Sequence, residues 1–189
     1  MQLDRRTLYQ LLAETLTAPR SAAQKILSIR GGYALALIAV GALACISALI
    51  SVLPNLSVPA SGNPMMDNLI ARPLLLAAIQ AGGMALFAGI ITGVGRLFGG
   101  TGRLVQALLM LAWVDFFLLV AQLALLVIVL ILPFLAGPLV LFIMVVSAWV
   151  MSSFIAALHG FEKTLPTLGV LVTGILLIGI LMLPYAPQS

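Results

Sequence analysis

Charged side chains are scarce in this chain: Lys, Arg, Asp and Glu make up 7% of its 189 residues. Cysteine occurs once, as Cys45, which excludes a disulfide within the chain, and His159 is its one histidine. A lone histidine without a second His or Cys nearby is a poor metal ligand set. The sequence has no HExxH, no CxxC and no Ser–His–Asp pattern, so nothing in it indicates catalysis, a metal or a cofactor.

Apolar residues take the place of the missing charge. They make up 63% of the chain, and its mean hydropathy is +1.25. A soluble domain of this size has too little interior to bury so much apolar surface, so we expect lipid to be the solvent for most of it. The net charge of +4 comes from basic residues at the ends of the apolar runs. We therefore expect anionic lipid headgroups as the partner, and no nucleic acid.

Five apolar stretches predict an all-α membrane protein: a bundle of five transmembrane helices preceded by short amphipathic N-terminal helices. Each stretch approaches or exceeds the roughly 20 residues that a helix needs to cross a bilayer. Helices satisfy their own backbone hydrogen bonds, which lipid requires. The predicted organisation is a lead-in at 1–30, a five-helix domain at 31–184 with spans at about 33–53, 73–95, 104–132, 138–158 and 166–183, and a short tail at 185–189.

The basic residues predict the orientation of this bundle. With five crossings, Arg72 falls on one side and the other eight Lys and Arg residues fall on the opposite side. Basic residues in short flanking segments are retained in the cytoplasm. We therefore expect a cytoplasmic N-terminus and a C-terminus outside. About thirty residues of mixed polarity precede the first apolar run, which predicts no cleavable signal peptide.

The lead-in has two open interpretations. Apolar residues recur at helical spacing on one side of each short helix: Leu8, Leu12 and Leu16 in the first, and Ala22, Ala23, Ile26 and Ile29 in the second. Such helices lie in the headgroup plane as a solvated lead-in, or they form a docking surface for a cytoplasmic partner. The residues expected to contact headgroups or a partner are Arg20, Lys25, Arg30, Arg96, Arg103, His159 and Lys163.

Asp115 lies near the middle of the third predicted span, where a carboxylate costs about 2.5 kcal/mol or more. Gln122 follows two turns later on nearly the same face, and Gln106 lies nearer the cytoplasm. A functional interpretation makes this stripe a proton or cation path. A structural interpretation makes Asp115 a hydrogen-bond partner between helices. The partners expected for that bond are Ser147, Ser152, Ser153, Gln80 or Trp113.

Small residues repeat every four positions in the second predicted span: Ala81, Ala85, Gly89 and Gly93. This spacing predicts a groove for close helix packing, either within the bundle or across a dimer. His159 and Glu162 are three residues apart at the end of the fourth span. For His159 we expect a role at the end of the helix, in capping and headgroup contact. The glycine-rich turn RLFGGTGR at 96–103 lacks the GK[ST] ending of a phosphate loop, which excludes nucleotide binding there.

Three stretches resemble the bacterial branch of the Yip1 family. They are TAPRSAAQKILSIR at 17–30, RLFGGTGRLVQALLMLAW at 96–113 and FIAALHGF at 154–161, and the resemblance covers nearly the whole chain. It implies the Yip1-type topology and, in a bacterium, the inner membrane. Eukaryotic relatives are associated with vesicle traffic, Rab-type GTPases and membrane shape. Two departures limit what carries over. The lead-in replaces the hydrophilic N-terminal domain of the eukaryotic proteins. In addition, LAGPL at 135–139 is similar to a short motif of the eukaryotic family, but here it opens the fourth span instead of preceding the first.

Three functions remain open from the sequence. The first is a non-enzymatic scaffold or interaction protein, which would bind other membrane proteins or a second copy of itself and for which Arg20, Lys25 and Arg30 matter more than Asp115. The second is a small oligomeric channel or transporter with a polar path through Asp115 and Gln122. The third is an intramembrane enzyme, for which the chain offers no nucleophile and base pair.

Overall fold

The computed structural model describes residues 5–29, 31–52 and 71–162, together with residues 167 and 172. In these ranges all regular structure is helical. The elements are α1 (Arg5–Thr17), α2 (Pro19–Leu27), α3 (Gly32–Val52), α4 (Pro73–Leu97), α5 (Leu104–Ile131), a 3-10 turn (Pro133–Leu135) and α6 (Ala136–His159).

Four helical segments are long and apolar enough to cross a membrane: Gly32–Ser51, Pro73–Leu97, Leu104–Ile131 and Pro133–His159. The described part of the chain thus holds four spans, not the predicted five. The fifth predicted span, at 166–183, lies outside the described residues apart from Thr167 and Val172, as does the tail at 185–189. Arg30 and Lys163 also lie outside them.

The fourth span begins earlier than predicted. Pro138 was expected to open it, yet the 3-10 turn starts at Pro133 and α6 begins at Ala136. Pro138 therefore lies in the first turn of α6. The backbone N–H groups of a first turn have no partner within the helix, so a proline is tolerated there. The connection is short, and α5 and α6 pack against each other.

Helix α5 lies at the centre of the bundle. It contacts α2, α3, α4 and α6, and every residue from Ala107 to Ala112 is buried. A helix that is buried all round must lie in the interior. Toward its other end the same helix opens to its surroundings, because Leu130 and Ile131 are both more than 70% exposed. The core therefore lies at the end of the bundle where α5 begins.

The lead-in packs into this core. Ala22 and Ala23 of α2 are completely buried, and Ile26 is 3% exposed, because α2 packs against α6 and α5. The apolar side predicted for α2 is thus present, but the bundle covers it. The interpretation of the lead-in as a segment that only lies in the headgroup plane is therefore wrong for α2.

Helix α1 packs one residue away from its predicted stripe. Leu11 and Thr15 are its buried residues, and Leu16 is 47% exposed. The buried hydroxyl of Thr15 has a partner in α5, because its Oγ1 accepts a hydrogen bond from Trp113 Nε1 at 3.0 Å. Trp113 is nine residues into α5, about 14 Å along its axis. The end of α1 therefore reaches well below the end of the bundle, which a surface helix would not do.

Candidate functional site

The imidazole of His159 lies against three glycines: Gly95 in the last turn of α4, and Gly100 and Gly102 in the connection from α4 to α5. A methyl group built at Gly95 or Gly100 would overlap the His159 ring, and one built at Gly102 would lie 2.9 Å from Nε2. The ring fits only because these three positions have no side chain. We call Gly95, Gly100 and Gly102 the glycine cradle. It explains why the turn predicted at 96–103 is so rich in glycine.

The backbone of the connection shapes this cradle. Helix α4 ends at Leu97, and Gly99 follows with φ of 83°, a conformation that residues with a side chain rarely adopt. The N–H of Gly100 then donates to the carbonyl of Gly95 at 2.8 Å, which closes the end of α4. Helix α5 starts at Leu104, about one turn later. Because Gly100 and Gly102 lie against His159, the last residue of α6, the loop covers the end of that helix.

His159 is 3% exposed and has one hydrogen bond. Its Nδ1 lies 3.1 Å from the carbonyl oxygen of Ile155, which can only accept, so Nδ1 carries the proton. Nε2 is buried and has no hydrogen-bond partner among the described residues. The ring also stacks on Phe161, with centroids 5.3 Å apart. The expected headgroup contact is therefore wrong for His159, which packs inside the protein.

A polar cleft lies beside this packing, between α2 and the end of α6. The guanidinium of Arg20 donates from Nη2 to the carbonyl oxygen of Phe161 at 2.7 Å. The cleft next to this bond has a volume of about 240 Å³. Its lining residues are Arg20, Trp149, Ser152, Ser153, Ala156, Phe161, Glu162 and Thr167. We call it the Arg20–Glu162 cleft. Because His159 is enclosed in the glycine cradle and Glu162 lines this cleft, the two side chains do not form one site.

Lys25, Arg96 and Arg103 lie at the end of the bundle that holds the glycine cradle, and Arg72 lies at the other end. Lys25 forms an ion pair with Glu14, whose Oε2 is 2.7 Å from Nζ, and thereby links α2 to α1. Arg96 and Arg103 are exposed on either side of the glycine cradle. Arg72 precedes α4 and is separated from Arg96 by about 36 Å of helix. Of the eight basic residues that the sequence predicts on one side, Arg20, Lys25, Arg96 and Arg103 are grouped at this end.

The predicted polar stripe in α5 is not continuous. Asp115 is half-buried, and its Oδ2 is 3.5 Å from Ser47 Oγ of α3, a long contact. Gln106 accepts from the N–H of Arg103 at the start of the helix, and Gln122 is exposed. Ser47 was not among the partners expected for Asp115. Three of the expected partners, the hydroxyls of Ser147, Ser152 and Ser153, donate to carbonyls of their own helix.

The small-residue stripe of α4 faces outward. Ala85, Gly89 and Gly93 are exposed, and a methyl group built at either glycine would meet no atom within 4 Å. Ala81 is partly buried at one end of the stripe. The prediction that this stripe forms a packing groove within the bundle is therefore wrong for the described residues. Small residues on another side of α4 make the close contacts instead: Ala77, Ala88 and Gly95. Contact of the stripe across a dimer stays a prediction.

Among the described residues, no group of three His, Cys, Asp or Glu side chains is placed to hold a metal ion. Two apolar clefts also open beside α1, of about 340 and 430 Å³. One is lined by α1, α5 and α6, and the other by α1, α2, α3 and α5. Neither includes Gln106, Asp115 or Gln122, so these two clefts do not follow the predicted polar stripe.

Four long apolar helices, one of them the central helix α5, define a helical integral membrane protein. The glycine cradle and the Arg20–Glu162 cleft lie at one end of it. The family profile of the Yip1 domain matches residues 13–184, which includes α2 as well as the spans. The chain belongs to the Yip1 family. It matches no curated protein and no solved structure.

Proposed function

We propose that this chain is a non-enzymatic scaffold or interaction protein of the bacterial Yip1 branch, in the inner membrane with a cytoplasmic N-terminus. The docked lead-in is the observation that carries this proposal. Because α2 is fixed by its buried alanines and by the Arg20–Phe161 hydrogen bond, its outer side is held in one place. A fixed polar surface beside the membrane suits a binding partner, since little conformational entropy is lost on binding.

The outer side of the lead-in has polar and aromatic groups available. Tyr9 is 72% exposed, and tyrosine gives a large contact area with few rotatable bonds. The exposed polar residues of α1 and α2 include Arg6, Gln10, Gln24 and Lys25. Basic residues near the headgroups also attract anionic lipid, at about 1 kcal/mol each. The surface thus combines a contact for a membrane protein with attraction to the membrane itself.

A charge swap tests whether the lead-in is a binding surface. The Glu14→Lys/Lys25→Glu double variant keeps the ion pair but reverses its polarity, whereas Lys25→Glu alone breaks it. We expect the double variant to fold normally and to lose the partners that copurify with the wild-type chain in mild detergent. Quantitative mass spectrometry measures this, with loss of about tenfold expected for about 1.4 kcal/mol. Unchanged partners in the double variant would contradict the proposal.

The competing function is a channel or transporter that uses Asp115. Asp115→Asn separates the two, since it removes the charge and keeps the shape. We expect it to leave copurifying partners unchanged and thermal stability equal or higher, because an intramembrane carboxylate is costly. Thermal unfolding in detergent and ion flux in proteoliposomes measure the two effects. A flux that is present in the wild type and absent in Asp115→Asn would favour the channel.

A further inference from the structure

The Arg20–Glu162 cleft carries two opposite charges that do not pair with each other. Both side chains are exposed, both line the cleft, and the described residues include no ion pair between them. Arg20 uses Nη2 for the carbonyl of Phe161 and has further N–H groups to donate. Oppositely charged groups that share a cleft without meeting leave room for a ligand with a charge at each end.

The neutral groups of the cleft are mainly acceptors. The hydroxyls of Ser152 and Ser153 donate to the carbonyl of Trp149, at 2.8 and 3.0 Å, so their oxygens have lone pairs to offer. Thr167 is 3% exposed, and its Oγ1 has no hydrogen-bond partner among the described residues. A buried polar atom without a partner needs an explanation, and a bound ligand provides one.

We propose that this cleft binds the headgroup of a phospholipid that carries a primary amine, as in phosphatidylethanolamine. Arg20 donates to the phosphate, because a guanidinium matches phosphate oxygens. Glu162 accepts from the ammonium group, whose three N–H bonds also suit the oxygens of Ser153 and Thr167. The binding step is non-covalent, and it joins each charge of the headgroup to one charge of the protein.

Size and position favour a lipid over a soluble molecule. The volume of about 240 Å³ is below the ~300–1,000 Å³ of drug-sized ligand sites, which suits a headgroup. The cleft extends along the side of α6, a membrane-spanning segment, as far as Trp149. Trp149 is ten residues from the end of α6, about 15 Å along the axis. A ligand that enters here has its polar end at Arg20 and Glu162 and its chains beside the bundle.

The chemistry of the cleft predicts its selectivity among lipids. Phosphatidylcholine has the same charges, but its quaternary ammonium has no N–H to donate to Glu162 or the hydroxyl oxygens. Phosphatidylglycerol lacks the cation, so Glu162 opposes it through like-charge repulsion. We therefore expect the amine-bearing lipid to be retained above both of the others. This order differs from that of the exposed arginines, which attract any anionic headgroup.

Lipid retention by the full chain tests the assignment. The protein is reconstituted in nanodiscs of phosphatidylethanolamine, phosphatidylcholine and phosphatidylglycerol in equal parts, then extracted in mild detergent. Mass spectrometry measures the lipids that stay bound. We expect about tenfold enrichment of phosphatidylethanolamine, the effect of one strong charge-assisted hydrogen bond. In Glu162→Gln we expect that enrichment to disappear. Arg20→Gln is expected to lose it as well, but Arg20 also holds Phe161, so Glu162→Gln is the decisive variant.

Glu14→Gln is the matched control. Glu14 is a carboxylate of the lead-in, and it pairs with Lys25 instead of lining the cleft. It is expected to keep the full enrichment. Equal retention of the three lipids by the wild type, or enrichment that survives in Glu162→Gln, would overturn the proposal. Free phosphoethanolamine is added in a second arm. Displacement of the lipid by the free headgroup at equal concentration would assign the site to a soluble ligand instead and overturn the lipid assignment.

Discussion

Replacing Gly95 by alanine is expected to destabilise the protein by about 1–3 kcal/mol, the usual result of overpacking a filled interior. The added methyl group overlaps the ring of His159, which is buried, hydrogen-bonded to Ile155 and stacked on Phe161. Thermal unfolding in detergent, followed by tryptophan fluorescence, measures the loss.

Gly89→Ala provides the matched control in the same helix. Gly89 is exposed, and no atom of the described residues lies within 4 Å of the added methyl group. We expect the stability to be unchanged or slightly raised, because alanine favours a helix over glycine by up to about 1 kcal/mol. A double variant, Gly95→Ala with His159→Ala, should recover part of the loss by removing the overlap. Equal stability of Gly95→Ala and Gly89→Ala would show that the glycine cradle does not constrain His159.

Thr15→Val is expected to loosen the lead-in from the bundle. Valine has nearly the shape of threonine but cannot accept the hydrogen bond from Trp113 Nε1. An indole N–H that loses its acceptor in a buried site costs about 1–3 kcal/mol. The unfolding temperature should fall, and limited proteolysis within the lead-in should become faster. Exposed Thr17→Val serves as the control, since its hydroxyl bonds only to the carbonyl of Ala13.

A double-mutant cycle with Trp113→Phe isolates this contact. Hydrogen bonds between membrane helices have coupling energies of about 0.6 kcal/mol on average and up to about 1.7. We expect a value in the upper half of that range, because Thr15 is completely buried. A coupling energy near zero would mean that the lead-in is held by apolar packing and by Arg20 alone.

The spans could be predicted from the sequence because lipid leaves few alternatives. A run of about 20 apolar residues has no other low-energy structure in a bilayer, so the four described spans lie close to their predicted positions. The start of the fourth was misplaced because Pro138 is compatible with the first turn of a helix as well as with its beginning. The fifth span stays a prediction.

The site could be predicted only in pieces. The sequence shows the glycine-rich turn, and it shows His159, but about sixty residues separate them. Periodicity and motif spacing describe neighbours along the chain. Nothing in the sequence therefore indicated that the glycine-rich turn packs around His159. The sequence also singles out Asp115 as a carboxylate in an apolar helix, but its contact with Ser47 depends on how α3 packs against α5. That packing depends on shape, which the pattern of apolar residues leaves undetermined.

The lead-in carries a signal that was available in the sequence. Thr15 interrupts the apolar side of α1 with a hydroxyl, and Trp113 is an indole in an apolar span. Each of these groups needs a hydrogen-bond partner when it is buried. Pairing them would have placed α1 beside α5 and moved its buried side from Leu12 and Leu16 to Leu11 and Thr15. Local periodicity alone favoured the leucines, because it ranks residues by hydrophobicity.

The Arg20–Phe161 hydrogen bond also sets an order of events during biosynthesis. The two residues are 141 positions apart, which a ribosome covers in roughly 7–28 s at 5–20 residues per second. During that interval α2 has been synthesised, but the surface of α6 that covers Ala22 and Ala23 does not yet exist. Helix α2 is therefore made before the spans but is among the last elements to reach its final position. Completion of α6 becomes the event that closes this end of the bundle, and a chain interrupted before it would leave the apolar side of α2 exposed.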